Sequence, residues 1–192
     1  MVHVELLEKL GFGIAAISDR SDGDASSSEG CAIIQERSGS KNGRLVLVNQ
    51  VHGSRIVQAN QQVESADGLI TNVPGTVLGI RVADCVPVWL VDPAIKAVGL
   101  FHAGRKGTYE QITALGMKAL SDTYGCNPAD VTAYIGPSAG PCCYEVSEDL
   151  AKVFQRAGLP AVGRHIDLWE ANRQQLVASG LKPENIHISG RC

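Results

Sequence analysis

Four dense apolar runs limit what this chain can fold into: Leu45–Val48, Val86–Val91, Ala97–Phe101 and Val131–Ile135, stopped by Asn49, Asp92, His102 and Gly136. Short runs of β-branched and aliphatic residues bounded by turn-formers read as buried strands. Ile14–Ile17, Ile56–Val57 and Thr76–Val82 read as further extended pieces. Pro87, inside the second run, cannot donate to a ladder, so a bulge or break is expected beside Cys85. Helical spacing appears after Gly107-Thr108, where Ile112, Leu115, Ala119 and Leu120 share one face and Gly125 is the stop. Ser147 is a good N-cap for a helix to about Ala157, and a last helix fits Leu168–Ser179 with Gly180 behind it. Ser18–Gly43 is rich in Ser, Gly and Asp and reads as loop, with one short strand at Cys31–Ile34. Strands and helices interleave without a regular βαβ rhythm. The expectation is an α+β fold, a mixed layered sheet with packed helices, in one domain over residues 1–192.

Composition removes several function classes. A net charge of −3 argues against a nucleic-acid binder that works through a basic surface. No run of eighteen apolar residues occurs, so nothing reads as a membrane-spanning helix. Met1-Val2-His3-Val4-Glu5 lacks the basic region and apolar core of a secretory signal, and a cytoplasmic protein is expected. Its six cysteines are then expected to be reduced thiols, most of them small buried hydrophobes, with Cys85 set apart by its context.

Three stretches stand where apolar runs end: Gln50-Val51-His52-Gly53, Ala83-Asp84-Cys85-Val86-Pro87 and His102-Ala103-Gly104. A histidine or cysteine alone in such a place is most often structural. Together, His52, Cys85 and His102 make a ligand set that suits Zn²⁺ and leaves a fourth position open, as catalytic sites require. Zn²⁺ in such a set lowers the pKa of a bound water toward about 7 or polarises an oxyanion. Asp84 is the adjacent candidate general base or orienting carboxylate, and a strand-break cap is the equally weighted alternative. Arg105 and Lys106 enter a helix N-terminus, where an anion such as phosphate is favoured; exposed turn cations are the plain alternative. Arg55 is a second candidate oxyanion partner. Gly136, in a Gly/Pro loop, is a candidate for close backbone approach to a ligand. A metal-free Cys85–His102 thiolate–imidazolium pair, competent for acyl transfer or deamidation, stays open at this point.

These motifs, with Ile135-Gly136-Pro137 and Pro141-Cys142-Cys143-Tyr144-Glu145-Val146, resemble the YfiH/YlmD family, described as laccase-domain or multicopper polyphenol oxidase proteins. The resemblance covers about residues 44–180. It implies an α+β fold shared with cytotoxic-necrotizing-factor-type deamidases and a zinc site of His52, Cys85 and His102. It implies phosphorolysis of adenosine, inosine and methylthioadenosine, with adenosine deamination, so the implied partners are a nucleoside and phosphate. Bacterial members are linked to peptidoglycan editing, and one branch to phenol oxidation with copper. The chain departs from the pattern by Arg105-Lys106 in place of Trp-Arg. Its Ser18–Gly43 segment is shorter, Arg20 being the candidate counterpart of a family arginine. The family also continues past the position of Cys192 into an aromatic, arginine-rich tail. Competing readings are a copper-dependent phenol oxidase, a metal-free thiol hydrolase, and an inactive paralogue that binds or scaffolds. His3, His165 and His187 lie outside the motifs, which argues against a full multicopper site, although two imidazoles and a thiolate also suit copper.

Overall fold

A computed structural model describes the whole chain except Arg20 and Val63, so the arginine considered at position 20 lies outside the described residues. The chain opens with β1 (Val2–His3), α1 (Glu5–Leu7) and β2 (Ala16–Ile17), the two strands pairing antiparallel. Helix α2 (Ser28–Arg37) follows, then β3 (Arg44–Val46), β4 (Ile56–Gln58), β5 (Gly68–Thr71) and β6 (Thr76–Leu78). The centre of the fold is the hairpin β7 (Val86–Asp92) and β8 (Ala97–Ala103). After it come α3 (Arg105–Tyr109), α4 (Ile112–Tyr124), β9 (Thr132–Ile135) and α5 (Glu148–Arg156). The chain continues through β10 (Ala161–Val162), β11 (His165–Ile166), α6 (Leu168–Ala178) and β12 (Ile186–Ile188).

Six strands form one mixed sheet in the order β12-β9-β7-β8-β5-β4, antiparallel in the middle and parallel at its two margins. Every residue of β7 is buried, because both faces of the sheet are covered. Val86, Val88 and Leu90 pack with Phe101, Ile112, Met117 and Leu120 on the helical side. Trp89 and Val91 pack with Val4, Leu7, Ala15 and Leu100 on the other. Burial on both faces explains why the run is continuously apolar rather than alternating. The hairpin turn is fixed by Asp92, whose Oδ1 accepts the N–H groups of Ala94 and Ile95 at 3.0 Å each. The mixed α+β architecture is the one expected.

Local differences from the expectation have identifiable causes. Cys31–Ile34 is not a strand but the middle of α2. Ser27 caps that helix by accepting the Gly30 N–H at 2.9 Å, and Arg37 in its last turn donates to the Ser21 carbonyl at 2.8 Å. Caps and charge at the termini hold this helix, so its apolar content carries little signal. The expected extended piece Thr76–Val82 shortens to β6, which pairs in parallel with β3, and among the described residues Ile80–Val82 belong to no strand. β7 runs unbroken through Pro87. The Pro87 carbonyl accepts the Gly136 N–H at 2.8 Å, and the reciprocal bond, for which Pro87 has no N–H, is where pairing with β9 stops. The distortion lies instead at Asp84, whose φ is 71°. Leu115 turns to solvent; the buried face of α4 is Ile112, Thr113, Gly116, Met117 and Leu120. The expected cysteine burial also fails: Cys126 alone is fully buried, while Cys142, Cys143 and Cys192 are exposed. Burial first, and then Asp92, push the Cys126 thiol up to about 12, so it behaves as an inert small hydrophobe.

The helical layer meets the sheet where Gly116 faces Phe101. A Cβ on Gly116 would lie 2.5 Å from the Phe101 ring, which is itself fully buried and cannot yield. Gly116→Leu is expected to cost about 1–3 kcal/mol by overpacking, seen as a lower urea midpoint with an unchanged slope.

Candidate metal centre

The ends of three segments converge at the open end of the central β7–β8 hairpin. His52 sits in the bend after Val51 with φ 58°, Cys85 immediately precedes β7, and His102 is the penultimate residue of β8. One donor atom from each lies within 4.8 Å of the other two. The two imidazoles meet edge to face, with ring centroids 4.8 Å apart. His102 is buried, Cys85 half-buried and His52 exposed, so the cluster opens outward on the His52 side. Gly104 makes this approach possible: a Cβ there would stand 3.0 Å from the Cys85 sulfur and 3.4 Å from the His52 ring.

A fully buried carboxylate organises the cluster. Asp67 Oδ1 accepts the His52 N–H at 2.9 Å, and Oδ2 accepts those of Gly53 at 2.8 Å and Val51 at 3.2 Å. His102 Nδ1 lies 2.8 Å from the same Oδ1, and the His102 backbone N–H donates to the Asp67 carbonyl at 2.7 Å. With Asp67 Oδ1 accepting from Nδ1, Nε2 is the ring nitrogen left to face a ligand. One side chain thus sets the tautomer of one imidazole and the backbone turn of the other. Such carboxylate–histidine pairs commonly orient metal ligands. Two imidazoles, one with a fixed free nitrogen, and a thiol at this separation suit a borderline cation such as Zn²⁺ or Cu²⁺.

The surroundings of Cys85 bear on the metal-free alternative. Burial, followed by the Asp84 and Asp67 carboxylates, pushes its thiol up from the ordinary value. A nucleophilic cysteine needs the opposite environment, one that favours thiolate without help. A cation held by the cluster would favour the thiolate form of this sulfur.

The other residues singled out in the sequence fall at four places. Asp84 is exposed next to Cys85, and its backbone carbonyl accepts the Ala139 N–H at 2.9 Å; the carboxylate that takes an imidazole N–H is Asp67. Arg105 and Lys106 begin α3 directly after Gly104 and are exposed. Lys106 is 3.7 Å from Glu110, while the Arg105 guanidinium stands beside the Tyr144 phenol. Arg55 is exposed just before β4, and its carbonyl accepts the N–H groups of Asp67 and Gly68 at 2.9 and 3.1 Å. Gly136 is packed away: a Cβ there would meet Pro87 at 2.8 Å and Trp89 at 2.9 Å, and its N–H is taken by Pro87.

Two residues at the site were not assigned from sequence. Asp67 stands in Ala66-Asp67-Gly68, which reads as an ordinary turn before β5. Tyr144 lies near both Cys85 and Arg105; burial pushes its phenol up and the guanidinium draws it back. Its place in the motif after Cys142-Cys143 was the available signal.

Residues 15–192 match the family model described as multi-copper polyphenol oxidoreductase laccase. Over 145 residues the chain is 35% identical to "Purine nucleoside phosphorylase" of Bacteroides thetaiotaomicron, covering 70% of this chain and 54% of that protein. Over 170 residues it is 32% identical to "Adenosine deaminase RL5" of an unknown prokaryotic organism, covering 77% of this chain and 64% of that one. Among solved structures it resembles YlmD from Geobacillus stearothermophilus, with a TM-score of 0.77 and 32% identity over 94% of this chain and 72% of that one. The chain therefore spans between half and two thirds of the length of these two named relatives.

Asp67→Asn replaces one accepting oxygen by an amide that can only donate. At least one of its partners then loses an acceptor in a buried setting, at a cost of about 1–3 kcal/mol. The variant is expected to melt lower and to hold a divalent cation about 10–100-fold more weakly, read by calorimetry and by metal competition on the same sample.

Proposed function

The chain belongs to the multi-copper polyphenol oxidoreductase laccase family, and on that footing we propose that it is a zinc-dependent purine nucleoside phosphorylase with adenosine deaminase activity. In this reading adenosine, inosine or methylthioadenosine reacts with phosphate to give the free base and ribose-1-phosphate. His52, Cys85 and His102 hold the ion. The observation that carries the reading is the convergence of those three donors, with one face open, around an imidazole fixed by Asp67. The names borne by the relatives supply the substrate class.

The ion, when bound, supplies Lewis acidity and activates water for the deamination branch. The chain's own groups do the rest. Arg105, at the rim of the cluster, takes the charge of the attacking phosphate, with Lys106 and Arg55 adding positive potential at the entrance. Phosphate oxygen forms its bond to the anomeric carbon as the bond to the purine nitrogen breaks, and the departing base gains a proton. In this reading Asp84, exposed beside Cys85, holds or passes the proton at that rim. Asp67 acts only through the imidazole it fixes and through the turn it ties. A copper-loaded oxidase of phenols is the second reading, favoured by the family description and by the donor set, which suits copper as well as zinc.

The test is incubation of the purified protein with adenosine and phosphate, chromatography of the products, and metal analysis of the same sample. Adenine with ribose-1-phosphate, and inosine from the deamination branch, are expected with about one zinc per chain; a zinc-loaded protein that leaves adenosine intact defeats the reading. Cys85→Ala and His102→Ala are each expected to lose both the ion and turnover. Arg105→Ala is expected to raise the KM for phosphate by about tenfold or more, the worth of one charge-assisted hydrogen bond. Copper in place of zinc, with oxygen-dependent phenol oxidation, would establish the second reading.

A further inference from the structure

A second group of donors lies outside the cluster just described. Cys142 and Cys143, in the turn after the Gly136–Pro141 loop, meet Cys192, and the three sulfurs all lie within 4.8 Å of one another. All three residues are exposed. They are distant in sequence, and the fold brings them together through specific contacts. The Ser138 N–H donates to the Arg191 carbonyl at 3.2 Å, and the Gly140 N–H donates to the Cys192 sulfur at 3.3 Å. Cys143 and Cys192 sulfurs are 2.7 Å apart. The loop itself is held from below by Trp169. The Trp169 indole N–H donates to Ser138 Oγ at 2.5 Å, and a Cβ on Gly140 would lie 2.6 Å from the Trp169 ring. Cys142 and Cys143 therefore stand on a braced loop, and Cys192, the last residue of the sequence, is tied to that loop by the bonds from Ser138 and Gly140.

We propose that Cys142, Cys143 and Cys192 form a soft-cation site that takes Cu(I), separate from the His52–Cys85–His102 centre. The donor chemistry selects the ligand. Three sulfurs without an imidazole or a carboxylate in the set suit a thiophilic monovalent ion, whereas the mixed imidazole–sulfur set suits borderline divalent ones. Each thiol releases its proton to solvent as its S–Cu bond forms. The site also adjoins the first centre through the backbone, since the Ala139 N–H of the same loop donates to the Asp84 carbonyl at 2.9 Å. Occupancy of the sulfur site braces the loop that holds Asp84, the residue preceding Cys85.

The experiment uses the reduced full chain under anaerobic conditions, with Cys85→Ala introduced to disable the first centre, and Cu(I) titrated in competition with bicinchoninate. One equivalent of Cu(I) with near-ultraviolet copper–thiolate absorption is expected in the Cys85→Ala protein. Adding Cys142→Ser, Cys143→Ser and Cys192→Ser should abolish that absorption. Bound Cu(I) should also slow maleimide alkylation of Cys143 and Cys192 by about tenfold or more, because the thiolate is the attacking species and its lone pair is committed. Equal copper binding with and without the three serines, or alkylation rates indifferent to Cu(I), overturns the proposal. A Cys143–Cys192 disulfide that persists in excess reductant overturns it as well. Since the first centre is disabled throughout, none of these outcomes depends on nucleoside turnover.

Discussion

The Asp67 carboxylate is the constraint around which this margin of the molecule is arranged. It is fully buried, and both of its oxygens are occupied by donors from two distant parts of the chain. A buried carboxylate is costly unless its hydrogen bonds are made, and here backbone N–H groups and an imidazole make them. The residues that satisfy Asp67 are those that present the donor atoms of the cluster. Local stability and site geometry are therefore the same set of contacts. Loosening the turn at Val51–Gly53 would expose the carboxylate's need for partners, and rotating His102 would do the same. The geometry is pre-organised because departing from it leaves a charge unsatisfied.

The hairpin of β7 and β8 gives that carboxylate its rigid frame. Seven residue pairs run from Val86↔Ala103 to Asp92↔Ala97. The hairpin is clamped between the helical layer and the N-terminal layer, so its open end cannot drift. Cys85 and His102 stand at that open end. Asp92, buried at the closed end, fixes the turn by its own hydrogen bonds. A site at strand termini, carried by a sheet buried on both faces, combines fixed donors with an exposed entrance.

Much of this was legible before any coordinates, and the misses follow a pattern. β7 and β8 were readable from dense apolar runs, α5 from its Ser147 cap and α6 from the Gly180 stop. The three donors were readable because each stands where an apolar stretch gives way. α2 was misread because its stability comes from Ser27, Glu29 and Arg37 at its ends rather than from apolar periodicity. Pro87 suggested a break that the sheet avoids by ending β9 opposite it. Asp67 was invisible as a partner of His102 because the pair is separated by 35 residues and no local pattern couples them. The exposed thiol trio was hidden for the same reason: Cys192 meets Cys143 only across the folded loop. Local chemistry was legible, whereas contacts that depend on long-range topology were not.

The wide spacing of the donors has one last consequence. His52, Cys85 and His102 are separated by 33 and 17 residues along the chain, and only the assembled sheet brings them together. An unfolded polypeptide offers a cation nothing comparable. An ion that occupies the cluster binds the native form, so it raises the free energy of global unfolding by an amount set by its concentration relative to its Kd. Starvation for that ion would then act as a destabilising mutation does, shortening the lifetime of the protein in the cell while every residue stays the same.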